Sequence, residues 1–388
     1  MDTIEKDQKY IVGTYARFPL EIVSGKGSVA YDKEGKSYID MGAGIAVNTF
    51  GYADDLFTAA VTEQLQKVQH TSNLYYTAPD ADLAEALMAK SGLKKVFFAN
   101  SGAEANECAI KAARKWSAEH KGAGAYKIVT LVSSFHGRTI TTLSATGQEV
   151  FHKHFDPFTE GFVYVPMGDE KALESAVDDK TAAVMVEFIQ GEGGVNVMPA
   201  SFVQKIFELK EKYDFLVIGD EVQTGNGRTG KYFAYQNYGV LPDIVTTAKG
   251  LGGGLPIGAC LFGESTENVL GKGDHGSTFG GNPVVAAGAL SIVKRIDDAL
   301  LAEVTAKGNY IKEKLAGAEG VLSVSGMGLM LGVSVKCDAK KVVAKCLERG
   351  VLFLTAKDKV RLLPALNIPY ELIDKALDVL VEAVKEEL

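Results

Sequence analysis

No apolar run in this sequence approaches the roughly 18–20 residues that cross a bilayer as a helix. The opening residues, Met1-Asp2-Thr3-Ile4-Glu5-Lys6, do not read as a signal peptide. Positive charge is scarce: 41 lysines and arginines stand against 49 acids, a formal net charge of -8 with no basic cluster, which argues against a nucleic-acid partner. Only four cysteines occur, Cys108, Cys260, Cys337 and Cys346. Their spacing fits neither a metal site nor a redox pair, so they read as reduced thiols of a cytoplasmic protein. Among six histidines only His152 and His154 lie close together, without a third ligand, and no metal site is expected. There is no internal repeat, no low-complexity segment and no G-x-x-x-x-G-K-[ST] phosphate loop.

What remains is an ordinary globular composition, 46% hydrophobic and 23% charged, over 388 residues, a length that suits two or so domains. Val29-Ala30-Tyr31 and Ser37-Tyr38-Ile39 flank a turn and predict a hairpin. Helices are expected near 55–69 and 79–90, the second opened by Pro79 and Asp80. Apolar runs at 96–98, 128–131, 182–188, 216–218 and 244–245 read as short buried strands alternating with helices. This predicts a doubly wound α/β domain with a mainly parallel sheet over 54–283. Residues 284–388, mixing strands with helices, predict a smaller α+β domain. The segment 1–53 is expected to pack with it, because a lone hairpin buries too little to stand by itself. The final helix should bury Leu372, Ile373, Ala376, Leu377, Leu380 and Val384.

Two strand ends carry ionisable side chains. Leu216-Val217-Ile218 breaks into Gly219-Asp220-Glu221-Val222-Gln223, and Ile244-Val245 leads through Thr246-Thr247-Ala248 into Lys249 and Gly250-Leu251-Gly252-Gly253-Gly254. Open α/β sheets bind ligands at the carboxyl ends of their strands. A lysine in apolar surroundings deprotonates readily and forms an imine with an aldehyde, and a carboxylate can hold a pyridinium proton. Those are the two groups that pyridoxal phosphate requires of a protein. The glycine run is not a dinucleotide fingerprint, since Leu255 stands where the third glycine of G-x-G-x-x-G belongs; a nucleotide-binding α/β protein that uses these glycines as turns is the rival reading.

Further along the sheet, Ser101 and Glu104 have capping-box spacing, and Gly102 would let an anion approach the free N–H groups of a helix start. Phe135, at another strand end, would stack on a flat ring, and Arg138 would fork onto a carboxylate. Glu192 stands among glycines in Gln190-Gly191-Glu192-Gly193-Gly194. Each taken singly has a plain reading as a cap, a core aromatic, a surface arginine or a loop acid.

Together these blocks resemble the class III, or ω-amino-acid, pyridoxal-phosphate-dependent aminotransferases. The likeness runs nearly end to end, from Thr14-Tyr15-Ala16-Arg17-Phe18-Pro19 to His275-Gly276-Ser277-Thr278-Phe279-Gly280-Gly281-Asn282-Pro283 and Val360-Arg361-Leu362-Leu363-Pro364. It implies fold type I of these enzymes and a homodimer with shared active sites. By the same resemblance Lys249 carries the cofactor and moves the proton, and Asp220 pairs with the ring nitrogen. Phe135 stacks on the ring, Gln223 lies near its hydroxyl, and Glu221 and Val222 fall in the same cofactor-binding block. Ser101, Gly102 and Ala103 hold the phosphate, with Thr278 reaching it from the neighbouring subunit. Arg138, with Ser277 nearby, takes a substrate carboxylate; Arg361 takes the α-carboxylate of glutamate, and Glu192 masks it when an ω-amine is bound. Gly44 and Ile45 are similar to the acetylornithine branch. The implied reaction passes an amino group from N2-acetyl-L-ornithine to 2-oxoglutarate, a step of arginine biosynthesis, with succinylornithine, ornithine or another ω-amino acid as alternative donors. Two departures stand out: Ala103 replaces a common threonine, and Gly51-Tyr52-Ala53-Asp54-Asp55 replaces Gly-His-x-His-Pro.

Overall fold

The computed structural model describes residues 1–388. Its centre is a seven-stranded sheet in the order Lys95–Ala99, Gly258–Phe262, Ile244–Thr247, Leu216–Asp220, Thr181–Val186, Lys127–Leu131 and Phe162–Val165. Every residue of Thr181–Val186 and of Leu216–Asp220 is buried, because helices cover both faces of the sheet. Strand alternation then splits neighbouring side chains between two cores. Leu216 and Ile218 enter one with the helix Gly102–Lys121, through Cys108, Ala109, Ala112 and Trp116. Val217 enters the other with Phe202, Val203 and Ile206 of the helix Ala200–Tyr213. The strand Gly258–Phe262 escaped the sequence reading. It runs antiparallel to both neighbours, directly after the glycine turn.

The second body is an antiparallel sheet ordered Val321–Met327, Met330–Val335, Lys359–Leu362 and Leu354–Ala356. The helices Asp298–Leu315, Ala339–Glu348 and Tyr370–Lys385 close it. Of the residues expected on the last helix's inner face, Ile373, Ala376, Leu377, Leu380 and Val384 are buried and Leu372 is half-buried. The N-terminal hairpin, Val29–Asp32 with Ser37–Asp40, gains an outer strand at Ile22–Lys26. Val351–Leu352 adds to it in parallel on the other side. Asp32 shapes its turn by accepting hydrogen bonds from the backbone N–H of Glu34 and Lys36 and from Tyr38 Oη. No helix is long and apolar enough to cross a membrane.

One boundary moves. The sequence places the end of the large domain at 283, yet the helix Pro283–Val293 packs against Asp55–Lys67 and Ala78–Ser91 and buries Ala286, Ala289, Ile292 and Val293 in the large core. Asp297 caps the next helix, its carboxylate accepting from Leu300 N. Pro283 marks a helix start correctly, but a start signal says nothing about which core the helix enters.

Candidate active site

The carboxyl ends of the central strands open onto a cavity of about 480 Å³ lined by Asn100, Ser101, Gly102, Ala103, Phe135, Arg138, Asp220, Val222, Gln223 and Lys249, among others. That volume lies within the range of small-molecule sites. The strand Leu216–Asp220 delivers Asp220 at its last position, 2% exposed. Its Oδ2 accepts from Asn106 Nδ2 at 2.8 Å and from His136 Nδ1 at 2.7 Å, and its Oδ1 accepts from Val222 N at 3.0 Å. Three donors from three segments fix this carboxylate in one orientation. Asn106 is itself held, since its Oδ1 accepts from Thr246 Oγ1 at 2.6 Å. Burial lowers the pKa of His136, but the hydrogen bond and charge of Asp220 outweigh it and raise the value above that of an ordinary histidine.

Lys249 follows the next strand, half-buried and in the left-handed region at φ 44°. The turn is pinned from both sides: Thr49 Oγ1 donates to Gly250 O at 2.7 Å and Asn226 Nδ2 to Ala248 O at 3.2 Å. Burial pulls the lysine pKa below its usual value; Glu192, Asp220 and Glu187 oppose that, while Arg361 adds to it. A lysine eased toward its neutral form is a nucleophile for an aldehyde.

The helix Gly102–Lys121 starts at the cavity wall with Ser101 as its cap, the hydroxyl accepting from Glu104 N at 3.2 Å. Glu104 reaches back to Asn100 N at 2.6 Å, one residue beyond the usual capping-box partner. The first N–H groups of a helix lack intrahelical partners and sit at the positive end of its dipole. A Cβ on Gly102 would come within 2.7 Å of Val222 Cγ1, so glycine lets the helix start and Val222 meet at the cavity wall. Gly258 is equally constrained, because a Cβ there would lie 2.1 Å from Ser101 O and push the cap out of place. An anion seat, the apolar surfaces of Val222 and Phe135, a buried carboxylate and a lysine with lowered pKa match the phosphate, ring, ring nitrogen and aldehyde of pyridoxal phosphate. The residues present therefore fit that group.

Arg361 lies on the strand Lys359–Leu362 of the smaller body, 3% exposed. Its Nη1 donates to Glu192 Oε1 at 2.5 Å and to Gln223 Oε1 at 3.3 Å, while its buried Nε has no partner. Burial raises the pKa of Glu192, but Arg361 and Lys249 bring it below the ordinary carboxylate value. Arg138 is exposed at the cavity wall, its guanidinium 4.8 Å from the ring centre of Phe151 and 5.8 Å from that of Phe135.

Five sequence-derived residues are not part of the cavity lining: Arg361 and Glu192, which are paired beside Gln223, and Glu221, Ser277 and Thr278. Glu221 turns away from the cavity into the core, where its carboxylate accepts from Thr224 Oγ1, Ala234 N and Tyr235 N. Its neighbour Asp220 faces the opposite way, as strand alternation requires. Ser277 is tied to the residue before the helix cap, its Oγ accepting from Asn100 Nδ2 at 3.1 Å. Thr278 is exposed and lines a small cleft with His70, Asn73 and Asp80 rather than the main cavity of its own chain. Conversely, Asn106, His136 and Glu187 line the cavity without having been singled out as site residues. His136 follows Phe135 directly and Glu187 lies in the apolar run 182–188 ahead of Glu192, and that adjacency was the available signal.

Residues 11–384 match the family described as Aminotransferase class-III. The chain is 48% identical to acetylornithine aminotransferase of Haemophilus ducreyi over 98% of both sequences. Among solved structures it is similar to the ornithine aminotransferase of Toxoplasma gondii, described with partial occupancy of PLP at its active site (TM-score 0.94, 33% identity, 99% of this chain and 94% of that one). It is also similar to N-acetylornithine aminotransferase of Stenotrophomonas maltophilia (TM-score 0.85, 36% identity, 99% and 98%). The chain belongs to the class-III aminotransferase family.

Proposed function

We propose that this class-III aminotransferase uses pyridoxal phosphate to move the terminal amino group of N2-acetyl-L-ornithine to 2-oxoglutarate, giving N-acetyl-L-glutamate 5-semialdehyde and L-glutamate. The observation that carries the reading is the Arg361–Glu192 pair beside Lys249. The amino donor presents a primary amine with no carboxylate next to it, whereas glutamate presents an α-carboxylate. A site serving both needs an arginine that can be covered and uncovered. With Glu192 on Arg361 the positive charge is neutralised and the amine end fits; with Glu192 displaced, the arginine's fork takes a carboxylate.

When bound, the cofactor supplies an aldehyde for covalent capture of amines and a ring that withdraws electrons from the reacting carbon. The chain does the rest. Lys249 Nζ, lowered in pKa, takes and returns a proton at that carbon. Asp220, locked by Asn106 and His136, holds the ring-nitrogen proton with a fixed negative charge. Ser101, Gly102 and Ala103 would hold the phosphate, Phe135 and Val222 would flank the ring, and Gln223 would lie near its hydroxyl. Arg138 binds the carboxylate at the far end of the substrate, with Ser277 near it. A second copy of the chain supplies Thr278 to the phosphate. The exposure of Thr278 and Phe279, together with that of Leu74, Tyr75 and Tyr76, supports a homodimer with shared sites. Four free thiols support a cytoplasmic setting.

The test is a donor panel on the purified protein: acetylornithine, succinylornithine, ornithine and 4-aminobutyrate, each with 2-oxoglutarate. Acetylornithine is expected to give the highest kcat/KM, and the substrate assignment fails if it is the poorest donor. Arg361→Ala separates the two halves of the reaction. Single-turnover rates should show kcat/KM for glutamate falling by about 100-fold or more, the cost of losing one buried charged partner. The acetylornithine half should change by less than about tenfold. Equal damage to both halves would remove the role given to Arg361.

A further inference from the structure

Glu187 is an acid that the reaction as described does not use. It lies just past the strand Thr181–Val186, 5% exposed, and lines the cavity. No lysine or arginine pairs with it. Its two oxygens are instead divided between two loops: Oε1 accepts from Phe135 N at 2.8 Å, and Oε2 accepts from Gly191 N at 3.3 Å. The first loop carries the ring-stacking Phe135 and Arg138; the second carries Glu192. The same strand exit grips the first loop again through Gln190, whose Nε2 donates to Val132 O at 2.8 Å. Gly191 in turn presses on Gln223: a Cβ there would lie 2.3 Å from Gln223 Oε1. Gln223 Oε1 accepts from Arg361, and Gln223 Nε2 donates to Glu192 Oε1 at 3.4 Å. Close contacts therefore run without a break from the Phe135 loop, through the Glu187 carboxylate, to the group that covers Arg361.

We propose that Glu187 is a positioning residue for the second half of the reaction, a brace that sets the resting place of Glu192 on Arg361 relative to the ring-stacking loop. A carboxylate is needed because both partners are N–H donors, and a carboxylate has an acceptor oxygen for each. The amide of glutamine offers one acceptor and turns an NH2 toward the other donor, leaving a buried N–H unpaired and pushing one loop away. The side chain is isosteric, so the packing around it stays.

This inference rests on the dual-substrate reading above, and wild-type turnover with acetylornithine and 2-oxoglutarate judges that reading separately. The brace is judged by a double-mutant cycle of Glu187→Gln and Glu192→Gln, with KM for glutamate and kcat of the acetylornithine half measured on enzyme reconstituted with pyridoxal phosphate. E187Q alone should change the glutamate KM by about tenfold, the effect of one lost buried hydrogen bond. Its acetylornithine kcat should stay within about threefold. In the E192Q background the same substitution should do little, because the charged carboxylate it positions on Arg361 is gone. Where E187Q fails to accumulate, Glu187→Asp keeps the charge but is too short to bridge both N–H groups, and it enters the same cycle with the same expectation. Full additivity of the two substitutions, or equal loss in both halves, overturns the brace and leaves Glu187 a merely structural acid.

Discussion

Lys249→Ala is expected to abolish transamination, with kcat falling by at least about 10⁴-fold, since one nitrogen serves as both covalent anchor and proton carrier. The loss should be chemical rather than structural. Alanine faces much the same strain as lysine at φ 44°, and the turn keeps its anchors at Thr49 and Asn226. Far-UV circular dichroism and the thermal midpoint should therefore stay close to wild type while turnover disappears. Borohydride reduction of the wild-type holoenzyme followed by peptide mapping gives the complementary result. The reduced cofactor should appear on the peptide spanning Ala248-Lys249-Gly250, and no label should appear with the alanine variant. A label on any other lysine would end the assignment of Lys249, and with it the roles of the groups placed around it.

Asp220→Asn comes second in size. Kcat should fall by about 10²–10³-fold, because a neutral amide no longer balances a protonated ring nitrogen. The hydrogen-bond pattern predicts a further cost. Oδ2 of Asp220 accepts two hydrogen bonds, from Asn106 and His136, while Oδ1 accepts one from Val222 N. An asparagine keeps only one acceptor atom, so at least one buried donor is stranded at about 1–3 kcal/mol. Thermal melts and kcat measured on the same preparations separate the two effects. A variant that melts early yet turns over within about tenfold of wild type would assign Asp220 to holding the loops together rather than to the chemistry.

Much of this site was legible because strand ends have local signatures. Asp220, Lys249, Phe135 and Ser101 each follow an apolar β-branched or aromatic run, and an α/β sheet brings such ends to one edge wherever they lie in the chain. What lies behind them was not legible. Asn106 reads as one polar residue on the face of a helix, and only the packing of that helix on the sheet brings it 2.8 Å from Asp220. Glu221 entered with Asp220 through the resemblance of that block, and its carboxylate is bonded in the core to Thr224, Ala234 and Tyr235, because consecutive side chains leave a strand on opposite sides. The domain boundary moved for a similar reason, since periodicity shows that a helix has an inner face without showing what the face meets. Arg138 was read from its place after a strand, while Ser277 and Thr278 came from resemblance; the fold sets the three respectively at the cavity wall, behind the helix cap and on the outer surface.

The pairing of Val351–Leu352 with Ser37–Asp40 bears on how the molecule is made. Lys36 Nζ meets Glu348 O across 312 residues, and Leu363 N donates to Met41 O just beyond Arg361. A chain emerging from the ribosome can complete the seven-stranded sheet, with Asp220 and Lys249 in place, while its first strands still wait for partners. The strand that carries Arg361, Lys359–Leu362, must then join last. Contacts this distant in sequence slow that closure, and nascent chains released before residue 351 would carry Asp220 and Lys249 without Arg361.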